Sequence, residues 1–190
     1  MITESTSRIS PVVLTSNGLA HGLAWRRWAT QHRVAAALLA GVVATHISTV
    51  LAFWFGDFGL FRLDWPTDNG RVYLPHMDPV IQFFVGGAMH YLDGIAFAVL
   101  FAINLHPRLP WANSQIGNIF KGMVFGTVLG MISLTVLCPL VYGPALGAQA
   151  GILSSHFGWK FQVSVLLFHW IYGAHLGLVY SPLDNLKASK

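Results

Sequence analysis

The chain has 190 residues, 54% of them apolar and only 9% charged, with a net charge of +4. Its mean hydropathy of +0.57 excludes an ordinary soluble domain and points to a membrane protein. Seven acidic residues leave no carboxylate-rich cleft or acidic tail, and the basic residues are spread too thinly to read nucleic acid. A single cysteine, Cys138, excludes an intramolecular disulfide.

Residues 1–33 form a leader. Within it, GLAHGLAWRRWATQHR places Trp25 and Trp28 beside Arg26, Arg27 and Arg33. Tryptophan at headgroup depth and arginine on anionic phosphate predict a short helix at the cytoplasmic interface; the same residues also serve as a basic flank orienting the first span. The leader is expected to be retained. The apolar stretch after it is longer than a signal core and lacks a small-residue cleavage pattern.

Crossing about 30 Å of hydrocarbon takes roughly 20 helical residues. Segments 34–55, 81–103, 119–142 and 161–180 meet that length, so residues 34–180 read as an all-α bundle of four transmembrane helices, with 181–190 as a short tail. The first connection, GDFGLFRLDWPTDNGRVYLPHMDP, carries Asp-Asn-Gly at 68–70, which predicts a turn in a small hairpin or re-entrant cap. Its end, His76-Met77-Asp78 between prolines, reads as a loop closing before a helix rather than as a copper contact. In the third span Cys138-Pro139 and Gly143-Pro144 predict a break or kink. The following GPALGAQAGILSSHFGW is apolar enough to lie on the membrane surface. Arg8, Arg26, Arg27, Arg33, Arg108, Lys121, Lys187 and Lys190 fall on one side of the spans; Arg62, Arg71 and Lys160 fall on the other. The positive-inside rule then places both termini in the cytoplasm.

Helix contact in lipid depends on small residues that let backbones approach. The third span has Gly122, Gly126 and Gly130 at GxxxG spacing, and the fourth has Gly173 and Gly177. The second has Gly86, Gly94, Ala98 and Ala102 on one ridge, with His90 in the missing place. His90 is therefore expected at a helix contact. Each ridge serves either the bundle itself or a partner protein.

His46, His90 and His169 lie in the first, second and fourth spans, each about two residues outward of its span's centre, a common level roughly 2 to 3 Å beyond the midplane. Asp93 lies one turn deeper on nearly the same face as His90. Three imidazoles and a carboxylate from three helices are thus candidates for one site, with Thr127, Ser133 and Thr135 of the third span nearby; His175 falls on another face. Imidazole with one carboxylate suits a transition metal such as zinc, copper or non-haem iron, and neutral histidine also ligates haem b. The same four residues also form a self-contained hydrogen-bond network if they bond to neighbours such as Tyr91, Tyr172, Thr45 or a carbonyl. No di-iron carboxylate pattern, nucleophile with a base, or phosphate-binding glycine loop is present.

The closing segment LLFHWIYGAHLGLVYSPL, with His169, Gly173, Gly177 and Tyr180, resembles the last helix of small four-span bacterial membrane proteins of unassigned function. The resemblance implies a multi-pass protein of the bacterial inner, cytoplasmic, membrane. Three functions stay open. The glycine ridges, aromatic external loop and Trp-Arg leader favour an accessory or stabilising subunit that meets the lipid bilayer and other membrane subunits of a respiratory, photosynthetic or oxygenase complex. The metal candidates His46, His90, Asp93 and His169 favour a metal- or haem-binding redox protein. A proton-coupled transporter would use Asp93 as its titrating group, but further ionisable residues along a path are missing.

Overall fold

A computed structural model describes residues 16–183. Residues 1–15 of the leader and 184–190 of the tail, with Arg8, Lys187 and Lys190 of the charge count, lie outside the described residues. The described regular elements are all helical: α1 Ser16–Gln31, α2 Arg33–Trp54, α3 Trp65–Tyr73, α4 Pro79–Leu100, α5 Gln115–Ile132, the single turn α6 Gly143–Ala145, and α7 Trp159–Val179. With their extensions, four stretches are long and apolar enough to cross a membrane: Arg33–Phe58, Pro79–Arg108, Gln115–Ala145 and Trp159–Val179. Each overlaps one predicted span, and the chain is a multi-pass, all-helical membrane protein.

Local chemistry sets the helix starts. Asp78 accepts from Val80 N at 2.8 Å with Pro79 beginning α4, and Ser114 accepts from Gly117 N at 3.0 Å to begin α5. The first connection differs from its expected hairpin. Asp64 accepts from Thr67 N at 3.1 Å, Pro66 occupies the first turn, and the chain runs as helix α3 straight through Asp68-Asn69-Gly70. Gly70 sits there for contact and not for a turn: a Cβ on Gly70 would overlap the backbone of Gln82, and one on Gly86 would overlap Pro66 O and Gly70 N. Tertiary packing of α3 on α4 overrides the turn signal.

The third span also departs from a simple break. After α5 the chain continues as a π-helical segment, Ser133–Tyr142, with Pro139 inside it, and then into α6. Proline lacks the amide hydrogen of a regular turn, and a π register is one way a helix absorbs that loss without stopping. In the loop that follows, Ser154 is fully buried and its hydroxyl donates to Leu134 O at 2.9 Å.

Packing is pairwise. α7 lies between α2 and α5, α2 lies between α7 and α4, and α3 packs on α4. At the α5–α7 contact, Cβ atoms on Gly122, Gly126, Gly173 or Gly177 would overlap the opposing backbone. On α2, Thr45 Oγ1 occupies the place a Cβ on Gly94 would need. In contrast, α4 and α5 do not pack along their lengths. They are bridged at one end by α3, which touches the π segment, and at the other by residues 101–108, where His106 Nε2 meets Asn118 Oδ1 at 2.8 Å and Phe101 packs on Phe125. A slot is left between the two bridges.

The leader helix α1 closes the end of the bundle that carries most of the basic residues. Trp25 Nε1 donates to Val179 O at 2.9 Å, and Arg26 donates to the carbonyls of Ser181, Asn113 and Pro182. The Val179, Ser181 and Pro182 carbonyls lie at or beyond the end of α7, where helix backbone lacks intrahelical donors, and Asn113 O lies just before α5. Arg26 and Trp25 thus bind protein, while Arg27 and Arg33 remain exposed.

Candidate functional site

The slot between α4 and α5 widens into a cavity of about 110 Å³. Each neighbouring element contributes to its wall: α2 gives Thr45, α3 gives Trp65, α4 gives His90, Asp93 and Phe97, and α7 gives Phe168, His169 and Tyr172. The third span supplies Leu129, Ile132, Ser133, Leu137 and Tyr142. Phe97 and Ile132, on the two helices that flank the slot, are both exposed, so the opening faces the side where lipid would lie.

Of the four candidate ligands, His90, Asp93 and His169 share this wall and His46 does not. His46 is exposed, with Nδ1 at 2.7 Å from Tyr91 OH. His90 Nε2 is 3.0 Å from Thr49 Oγ1, whose single hydrogen is committed to Thr45 O at 2.6 Å. Thr49 therefore accepts from His90, which puts the hydrogen of the neutral ring on Nε2 and leaves Nδ1 bare. His169 has the other tautomer. Its Nδ1–H donates to Val165 O at 2.7 Å, so Nε2 accepts from the Ser133 hydroxyl at 3.1 Å. Asp93 is half-buried and makes no hydrogen bond or ion pair among the described residues. Those residues also contain no group of three or more His, Cys, Asp or Glu placed to hold one metal ion.

Ser133 is the one polar candidate of the third span that joins the site. Thr127 and Thr135 are exposed and donate back to Met123 O and Met131 O. His175 donates to Ile171 O at 2.8 Å and stays outside the cavity wall.

Two wall residues carry polar atoms with unmet demand. Thr45 Oγ1 and Trp65 Nε1 are buried without a hydrogen-bond partner, and Thr45 is 1% and Trp65 7% exposed. Such atoms are rare, because each forfeits its hydration for nothing in return. Trp65 was hidden in the first connection: only with α3 helical does its ring pack on Tyr142 and Phe168 at 5.3 and 6.0 Å. The Asp64 N-cap and Pro66 were the available signals for that helix. Tyr142, next to it, donates to Asn69 Oδ1, and Tyr172 donates to Gly94 O at 2.6 Å. On α3, the partly buried Asp68 has its carboxyl pushed up to about 6, first by burial and then by the Asp64 charge, with Arg71 opposing.

Comparison with protein families, curated proteins and solved structures finds no match for this chain.

Proposed function

We propose that this protein binds a small lipid-soluble molecule in the cavity between α4 and α5. The observation that carries the reading is the cavity itself, open between Phe97 and Ile132, with the unpartnered Asp93 carboxyl in its wall. A close-packed bundle has no reason to leave both an opening and an unpartnered carboxyl at one place. By the positive-inside rule the bundle sits in a cytoplasmic membrane with α1 and residues 181–183 on the cytoplasmic side and α3 outside. The ligand then enters sideways from the bilayer, between Phe97 and Ile132.

Native mass spectrometry of the protein released from its own membrane tests this. Wild type retains a bound small molecule, and Leu137→Trp, which fills the cavity, loses it. Loss of nothing on filling, or wild type that flies without any ligand in mild detergent, overturns the reading.

A metal or haem centre is the second reading, supported by the shared wall of His90, Asp93 and His169. It requires His169 Nε2 to leave Ser133 and the imidazoles to converge, and it predicts metal in purified protein that disappears in His169→Ala. The accessory-subunit reading loses part of its basis in the α5–α7 contact, since both glycine ridges are used inside the bundle. What remains for it is the aromatic first connection, where Phe58, Phe61 and Tyr73 are exposed.

A further inference from the structure

The polar atoms within reach of the cavity narrow the ligand. Resting on the ligand-binding reading above, we infer that the cavity takes the ammonium head of a lipophilic amine, a primary or secondary amine on an apolar tail, with Asp93 as its counter-charge.

Hydrogen bonding comes first. Around the cavity His90 Nε2–H is committed to Thr49, His169 Nδ1–H to Val165 O, the Ser133 hydroxyl to His169, Tyr142 to Asn69 and Tyr172 to Gly94 O. The two unpartnered donors, Thr45 Oγ1 and Trp65 Nε1, are closed off from the cavity as well as from the lipid. What the wall still offers is acceptors. The Asp93 carboxyl and the bare Nδ1 of His90 have no partner and are not closed off in that way, so both are open to contact. A ligand that answers them must donate hydrogens.

Charge comes second. No lysine or arginine stands in the wall, and Asp93 is its one acidic residue. Asp93 lies one turn from Phe97 on the same face of α4, which puts the carboxyl at the lip of the opening, and its charge acts on Tyr142 across the slot. An anion would meet that carboxyl with no counter-charge in a region of low dielectric. A calcium or magnesium ion takes about six or more oxygen ligands, and the wall supplies one carboxyl among rings. An alcohol offers a single hydrogen and leaves the carboxyl's charge unopposed. An ammonium brings several N–H donors and the missing charge together. Phe97, Tyr142, Phe168 and Tyr172 line the same space, and aromatic rings attract a desolvated cation. Size comes third. A volume of about 110 Å³ is of the order of the ~150 Å³ cavity that admits one benzene ring. That holds a head group and not a whole lipophilic molecule, so the tail leaves between Phe97 and Ile132, both exposed on the lipid side.

The test is equilibrium binding of tritiated decylamine and tritiated decanol to the full chain in phosphatidylcholine nanodiscs, read by scintillation proximity, with empty nanodiscs as the partition control. The two probes share a tail and differ in the head; decanoate, of the same length, is the anionic competitor. The expected result is saturable binding of decylamine with affinity about 10-fold above that of decanol, and no displacement by decanoate. Asp93→Asn keeps the shape and removes the charge. It is expected to weaken decylamine about 10-fold and leave decanol unchanged, whereas Leu137→Trp abolishes the binding of both. Equal affinity for the two probes, untouched by Asp93→Asn, overturns the amine assignment while leaving a ligand cavity in place, and so does displacement by decanoate. Absence of saturable binding by both probes, or saturable binding that Leu137→Trp leaves intact, removes the cavity reading as well. If Asp93→Asn does not fold, the ranking of decylamine against decanol and decanoate on wild type decides the amine assignment.

Discussion

At the scale of single residues, unmet or displaced hydrogen bonds mark where this chain departs from routine packing. Asp68 gives a pH dependence with a definite sign. Its folded carboxyl titrates near 6 against an ordinary value of 3.8, so between those values the folded state holds more protons than the unfolded chain. Stability must then fall as pH rises from about 4 to 6 and level off above. Thermal unfolding in detergent across that window should show the decline in wild type, and Asp68→Asn should flatten it. Ser154 offers a second case. It and Leu153 hold left-handed backbone, φ 57° and 53°, which costs a non-glycine residue about 1 kcal/mol. Its hydroxyl nevertheless reaches Leu134 O. Ser154→Ala should cost about 1–3 kcal/mol of unfolding free energy by stranding that carbonyl, and Ser154→Gly should recover about 1 kcal/mol of it through relaxed backbone. The order wild type, glycine, alanine in a denaturant titration checks both effects.

At the scale of helices, the small-residue contact between α5 and α7 is the stiffest joint. Gly122 and Gly173 face one another through bare backbone, so Gly122→Ala should push the helices apart and cost about 1–3 kcal/mol. Gly87 is the matched control. Its added Cβ would meet only Pro66 Cβ at 3.7 Å, and Gly87→Ala should stay within about 0.5 kcal/mol. Arg26 governs a different joint. Arg26→Ala removes the donors to Ser181 O and Pro182 O, and hydrogen exchange of the α1 and 181–183 amides should rise relative to wild type. The four spans were readable because length and hydropathy in lipid depend little on packing. The run from Trp65 to Tyr73 was not, because Asn-Gly is a strong local turn signal and only the approach of Gly70 to Gln82 turns it into a helical contact. For the site, helix rise put His90 and His169 at one level, and both line the cavity. Their hydrogen-bond partners Thr49 and Ser133, and the exclusion of His46, depend on helix rotation, which spacing alone does not fix.

At the scale of the whole molecule, the helices form a row, α3–α4–α2–α7–α5, curved so that its two ends meet only through α3 and residues 101–108. The α4 span has 22% of its apolar window buried against 44% for α2, so the α3–α4 unit is the least anchored part. In a stepwise detergent denaturation it should separate before the α2–α7–α5 core, which site-specific fluorescent labels on α4 and α7 would report as two transitions. Orientation is checked by cysteine labelling in a Cys138→Ser background. A cysteine at exposed Ile152 should react with an impermeant reagent from outside, and one at Ser114 only after the membrane is opened.

The π segment with Pro139 bears on how the protein is made. In a register where each amide reaches five residues back, Pro139 would have served Leu134, and it has no hydrogen to give. Ser154 supplies the substitute from twenty residues further along. Until the following loop has folded back, that carbonyl lacks the Ser154 hydroxyl. The third span is thus completed by a segment that follows it in the chain, which ties the settling of its π segment to the folding of that loop and to the arrival of α7 behind it.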